Sequence, residues 1–252
     1  MDPCAFNMLT AKSVPHILEK IFFSLDYESF KNCMEVSNAW RSLLTSEQFQ
    51  WRGKSVFGQE IQKELVQASR EGNRKKVELI LSRFMVDIDC VDVDGDLHET
   101  SLIAASYHGH KALVNLLLDK GANPNKADNE GYTPLHSGAL WGHNDIVQLL
   151  LERLADPNIG NNYGCTPLHL AASKGWKDVV KALIDRGADL TIAYHGNTAL
   201  HMAAMNDRKE VILLLLGRGA APNNQNNEGR TPLWLASQRG YRDVVKILTP
   251  LS

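Results

Sequence analysis

The sequence predicts an all-α protein, in which an N-terminal helical unit precedes a helical solenoid of repeats with short β-hairpin loops. Three observations predict it. A four-residue pattern recurs, with its threonines Thr100, Thr133, Thr166, Thr198 and Thr231 stepping by 33, 33, 32 and 33 residues. Within each period two apolar stripes at helical spacing flank a turn position, usually a glycine. The first sixty or so residues carry helical stripes but none of the repeat.

Residues 1–12 are expected to be a tail, because Met1 to Ala11 has neither the basic start nor the apolar run of a secretory signal. Residues 13–51 form the helical unit. Ile17, Leu18, Ile21, Phe22 and Leu25 share one helix face, and Pro15 stands at its start, where a missing N–H is tolerated. Val36, Trp40, Leu43 and Leu44 make a second stripe. Phe22, Phe23, Phe30, Trp40, Phe49 and Trp51 exceed what three short helices bury, so the surplus packs on the first repeat or meets a partner. Residues 52–62 lack the Gly/Ser/Pro content of a flexible tether. Val56, Phe57 and Ile61 predict a packed joint and a fairly rigid body.

Residues 63–252 hold six repeats. Thr133-Pro134-Leu135-His136 and Thr166-Pro167-Leu168-His169 are complete. Thr198-Ala199-Leu200-His201, Thr231-Pro232-Leu233-Trp234 and Thr100-Ser101-Leu102 are degenerate. Gly131, Gly164, Gly196 and Gly229 precede the pattern and support a turn with positive φ. Proline fits the first helical turn. Gly109, Gly142, Gly175 and Gly240 follow nine residues after the threonine and turn the chain into a longer helix, such as that carrying Ile146, Val147, Leu150 and Leu151. Asp207 replaces this glycine in the fifth repeat. Gly121 and Gly187 end second helices, whereas Leu154 stands in that place in the third repeat and requires a different or a strained end. The first repeat, with Leu65, Ala68, Gly72, Val77, Ile80 and Leu81, is degenerate. Its Arg70, Asn73, Arg74, Lys75 and Lys76 read as a solvated capping face, and Asp87 to Glu99 as an exposed loop. The last repeat is a C-terminal cap.

The period and the T-P-L-H pattern resemble the ankyrin repeat. Residues 13–51 resemble an F-box, through the order Val14-Pro15, Ile17-Leu18, Ile21-Phe22, Leu25-Asp26, Val36-Ser37, Trp40-Arg41 and Trp51. Val14 stands where that family has leucine. The F-box resemblance implies docking on the Skp adaptor, and through it a cullin, in Skp–cullin–F-box (SCF) ubiquitin ligases. The positions matching the adaptor-contacting ones are Pro15, Leu18, Ile21, Phe22, Leu25, Phe30, Val36 and Trp40. The ankyrin resemblance implies a concave client-binding face built from hairpin tips and the ends of first helices. On it fall Tyr107, His108, Tyr132, Leu140, Trp141, Tyr163, Lys174, Met205 and Arg239. Trp141 is the expected hot spot, since an exposed aromatic makes a strong anchor. Trp176 and Trp234 occupy slots where the family has histidine and read as packing residues.

Other chemistries find little support. A formal net charge of -2 gives no pull toward nucleic acid or membrane, and no apolar run spans a bilayer. Four scattered cysteines argue against disulfides and zinc and for the cytosol or nucleus. His136, His169 and His201 recur one repeat apart, about 8–10 Å, too far to share a metal whose donors lie at about 2.0–2.1 Å. Asp92, Asp94 and Asp96 alternate, but Ile103 stands where an EF-hand needs glutamate. No phosphate loop, nucleophile elbow or H-E-x-x-H is present. The expectation is a non-enzymatic, cofactor-free adaptor, a monomer within a hetero-complex holding an unknown client protein. The alternative is an ankyrin scaffold or inhibitor without a ligase link.

Overall fold

The computed structural model describes residues 56–83, 86–92 and 98–249. The eight adaptor-facing positions from Pro15 to Trp40 lie outside the described residues, as do Asp94 and Asp96. Among the described residues twelve helices follow one another as six pairs. They are α1 (Val56–Arg70) and α2 (Arg74–Arg83), α3 (Ser101–Tyr107) and α4 (Lys111–Asp119), α5 (Pro134–Trp141) and α6 (Asn144–Glu152), α7 (Pro167–Lys174) and α8 (Lys177–Asp185), α9 (Ala199–Met205) and α10 (Lys209–Gly217), and α11 (Pro232–Gln238) and α12 (Arg242–Leu248). Helix α1 begins at Val56, so residues 56–62 of the expected joint run unbroken into the first repeat.

The odd-numbered helices form one row and the even-numbered from α4 onward a second. The first row packs more closely. Its contacts are made by small buried residues, among them Ala104, Ala105, Ala139, Ala171, Ala172, Ala203, Ala204 and Ala236. The second row is held apart by Leu117, Ile146, Leu150, Leu183, Ile212 and Leu215. Closer approach on one side bends the stack toward the odd-numbered row, which becomes the inner face. A single core runs the length of the stack, from Leu65 through Leu102, Leu135, Leu168 and Leu200 to Leu248. Full burial of each leucine stabilises by roughly 2 kcal/mol, and each repeat buries its apolar faces against its neighbours.

The turns behave as their residues require. Gly142 ends α5 with φ 75°. A Cβ there would lie 2.6 Å from the Trp176 ring. Asp207 adopts φ 55° in the fifth repeat. Leu154 is left-handed too, at φ 65°, so the third repeat keeps the usual helix end and accepts the strain. That strain costs about 1–2 kcal/mol for a residue with a Cβ.

Two expectations about the first repeat need correction. Arg70 is not a solvated capping residue: it reaches Asp92 at 3.0 Å and also binds Glu99. Arg74 pairs with Glu78 and Lys76 with Glu64. The segment after α2 is likewise only partly exposed. Cys90 and Asp92 are buried, and Val91 bridges Thr100 in antiparallel sense. The guanidinium of Arg70 draws both carboxylates inward, and their charge is tolerated there because it is paired. Its own pKa is raised, with burial working against the two carboxylates.

Candidate functional site

The inner face rests on three sets of bonds that pass from each repeat to the next. The first belongs to the T-P-L-H pattern. Thr133 caps α5, and its backbone N–H donates to His136 Nδ1 at 3.1 Å. The acceptor role of Nδ1 leaves the proton on Nε2, which donates to the carbonyl of Cys165 in the next hairpin at 2.9 Å. His169 repeats this with Thr166 and with the carbonyls of Ile192 and Asn197. His201 does so with Thr198 and the carbonyl of Arg230. All three rings are buried. Burial drives the His136 pKa down to about 4 and lowers those of His169 and His201. These rings are neutral structural groups with both nitrogens committed.

The second set was not legible in the sequence. His110 donates from Nε2 to the carbonyl of Arg70 at 2.9 Å, and His143 to that of Tyr107 at 3.1 Å. Trp176 donates from its indole N–H to Leu140 at 3.1 Å, and Arg208 from Nε to Ser173 at 2.9 Å. Three residue types do one job, because each places an N–H over the turn glycine and against the last carbonyls of the preceding first helix. Only the shared position, one residue past the turn glycine or, for Arg208, past Asp207 in its place, signals it. Trp176 therefore packs, as expected, and also bonds.

The third set joins loops. Asp89, Asn125 and Asn158 each accept, through a side-chain oxygen, a backbone N–H of the following repeat, at Asn123, Asp156 and Asp189. At the hairpin tips Asn162 donates from its backbone to Glu130 and from its side chain to Asn129. The expected contact positions thus sit on a frame fixed at both edges.

The structure brings Tyr107, His108 and Trp141 together. Tyr107 meets Trp141 edge-on, with ring centroids 5.1 Å apart, and His108 at 5.0 Å. Trp141 is 48% exposed, a large apolar ring on the surface. Leu140 is half-buried beside it. Tyr132 is half-buried, with its ring edge-on to His136 at 5.5 Å. Tyr163 stands exposed on its hairpin tip, and Lys174 is exposed in the last turn of α7. Met205 and Arg239 fall together elsewhere, on a cleft of about 680 Å³ between the fifth and sixth repeats.

Trp234 also lines this cleft. It is 40% exposed and lies under the guanidinium of Arg230, 4.3 Å from the ring centroid. It packs there on Arg230 at the cleft wall rather than inside a sealed slot. It occupies the slot of His136, but within the described residues no further hairpin follows to offer a carbonyl. Its place in the last repeat was the one available signal.

Burial pushes the Cys90 thiol up to about 12 and that of Cys165 up to about 11, so neither is a ready nucleophile. Among the described residues no group of three or more His, Cys, Asp or Glu is arranged to hold a metal ion. No described helix is long and apolar enough to cross a membrane.

The family comparison follows the same outline. The model described as ankyrin repeats matches residues 65–161, 153–226 and 196–251. Those ranges span most of the chain, which belongs to the ankyrin-repeat family. More particularly, residues 14–52 match the F-box domain, so this is an F-box protein with C-terminal ankyrin repeats. Curated relatives share parts of it. Ankyrin repeat and MYND domain-containing protein 1 of Mus musculus is 39% identical over 83 residues, 33% of this chain and 9% of the relative. Palmitoyltransferase AKR1 of Saccharomyces cerevisiae is 44% identical over 61 residues, 24% of this chain and 8% of the relative. Ankyrin repeat domain-containing protein 29 of Danio rerio is 41% identical over 58 residues, 23% of this chain and 18% of the relative. The chain thus spans less than a fifth of each of these relatives. F-box and ankyrin-repeat domains are typically non-catalytic interaction modules.

Proposed function

We propose that the chain is the substrate-recognition adaptor of an SCF-type ubiquitin ligase. The F-box binds the Skp adaptor, with Pro15, Leu18, Ile21, Phe22, Leu25, Phe30, Val36 and Trp40 as contact residues. The inner ankyrin face holds a client protein, with Trp141 as its hot spot and Tyr107, His108, Tyr132, Leu140, Tyr163, Lys174, Met205 and Arg239 around it. The domain limits follow from the repeat: F-box 13–51, joint 52–62 and six repeats over 63–252. The protein works as a monomer within that complex, in the cytoplasm or nucleus.

One observation carries the reading. An F-box match ending at residue 52 is followed, from Val56, by a helix continuous with an interaction solenoid. Such a joint suits a receptor, because delivery depends on the client's orientation as well as its nearness. The chain itself makes no bond.

The test is direct binding of the purified full chain to the Skp adaptor, beside a Pro15→Ala/Leu18→Ala double variant whose helical circular dichroism is checked. Tight binding that the folded variant loses supports the ligase link. A wild-type chain that does not bind leaves an ankyrin scaffold. For the client face, Trp141→Ala should weaken client capture by about 2 kcal/mol, and unchanged capture removes Trp141 as the anchor.

A further inference from the structure

The two faces of the solenoid use their cations differently. On the outer row, basic side chains are paired across repeats: Arg153 with Asp119, Arg218 with Asp185 and Lys209 with Asp243, at 2.8, 2.7 and 2.6 Å. At the helix-end positions themselves, seven and eight residues after each capping threonine from Tyr107 to Arg239, no aspartate or glutamate occurs, although Asp207 stands in the turn that follows Asn206. Lys174 and Arg239 there have no carboxylate partner among the described residues. Each stands at the C-terminal end of a first helix, α7 or α11. The partial negative charge of the helix end holds such a cation in place without neutralising it. Arg239 also borders the cleft, beside Trp234 and Met205. Glu228, on the same cleft, is already neutralised by Arg230 at 2.5 Å. The cleft therefore offers an uncompensated positive charge next to an exposed indole and a flexible thioether, a combination suited to a carboxylate with an apolar neighbour.

We propose that the client segment held by this face is an extended acidic peptide. One of its carboxylates meets Arg239 in the cleft between the fifth and sixth repeats, with an adjoining apolar side chain on Trp234. The segment then runs past Lys174 toward the Tyr107–Trp141 ledge. Lys174 and Arg239 are two repeats apart, about 16–20 Å. An extended chain advances about 3.3 Å per residue, so the two acidic residues are separated by about five or six positions. Two discrete cations on a chain of net charge -2 are too few to track a phosphate backbone, which favours a peptide over a nucleic acid. The proposal rests on the client-platform reading above and specifies its ligand class.

The experiment is a fluorescence-anisotropy titration of the full chain with labelled peptides of about twelve residues. The parent peptide carries one phenylalanine next to a glutamate and a second glutamate six positions away, in a neutral background. Its companions replace both glutamates by glutamine, lysine or phosphoserine, and a single-stranded oligonucleotide completes the panel. The glutamate peptide should bind about tenfold tighter than the glutamine peptide, a difference of one strong ion pair, and lose that advantage as salt rises. Arg239→Glu should abolish the preference and let the lysine peptide bind best, a reversal that general unfolding does not produce. Trp234→Ala should weaken glutamate and glutamine peptides alike. Equal binding of those two peptides, no binding of the glutamate peptide, no effect of Arg239→Glu, or tighter binding of the oligonucleotide overturns the proposal. Binding of the phosphoserine peptide alone overturns the carboxylate assignment in favour of a phosphate-reading site. Client capture that depends on Trp141 but not on Arg239 sinks this inference and leaves the platform standing, and failure to bind the Skp adaptor sinks only the ligase link.

Discussion

His136 and Trp234 occupy the same slot, three residues after a capping threonine, and the molecule treats them in opposite ways. His136 is buried and bonded on both sides, to Thr133 and to the next hairpin's carbonyl of Cys165. Trp234 is exposed and supports only the guanidinium of Arg230. The capping threonine is present in both cases. What differs is the neighbour. A middle repeat is covered by a following hairpin, which demands a donor and shuts out water. Among the described residues the sixth repeat has no such cover, and its slot is surface. A repeat position thus has no fixed role. Its role is set by whether another repeat lies beyond it.

Substitution of both residues tests that comparison most strongly. His136→Ala leaves the N–H of Thr133 buried without its partner, takes from the carbonyl of Cys165 one of its two donors (the N–H of Asn161 remains) and opens a cavity, and should lower unfolding stability by about 3 kcal/mol. Trp234→Ala should cost less, about 1 kcal/mol, because its ring is partly exposed and leaves no buried polar group unpaired. Urea unfolding of the two variants measures the gap, and equal losses would break the comparison. The pH dependence should follow. Above pH 6.5 the His136 ring is neutral in both folded and unfolded chains and contributes nothing. Below it the unfolded chain takes up a proton that the folded chain refuses until about pH 4. Stability should therefore fall by about 3 kcal/mol between those limits from this ring alone. His169 and His201 act in the same direction. Melting temperatures across that window, compared with His136→Ala, isolate its share, and a flat profile would contradict the buried neutral ring.

A finer contrast lies between the two tryptophans. Trp176 bonds Leu140 and covers Gly142, so Trp176→Ala should cost about 1–2 kcal/mol, more than Trp234→Ala. The smallest effect has the opposite sign. Leu154 is 84% exposed at φ 65°. Leu154→Gly should raise stability by about 1 kcal/mol, since little packing is lost and the left-handed strain disappears. A destabilised Leu154→Gly chain would mean that the leucine makes contacts outweighing its strain.

Much of the fold was legible because a repeat states its instructions several times over. Thr133, Pro134 and Gly142 each specify a local backbone conformation that depends on few distant residues, and the inward leucines follow from helical spacing. The interaction face was legible in part. The Tyr107–Trp141 ledge could be placed because each ring sits a fixed distance past its threonine. The donors at His110, His143, Trp176 and Arg208 were not visible as a set, because four positions shared a task without sharing a residue type.

The sequence by itself determined the two-part order, the helix pairs, the capping threonines and the left-handed turns, since these depend on backbone preferences and apolar periodicity within a few dozen residues. Only the tertiary structure decided that Arg70 gathers Asp92 and Glu99, that Leu154 keeps a glycine's conformation, and that Trp234 opens onto a cleft while His136 is sealed. The Leu154 turn is closed by bonds to its own helix, whereas the outcomes at Arg70, Trp234 and His136 depend on whether another segment supplies atoms there. A pattern internal to one repeat does not contain that information.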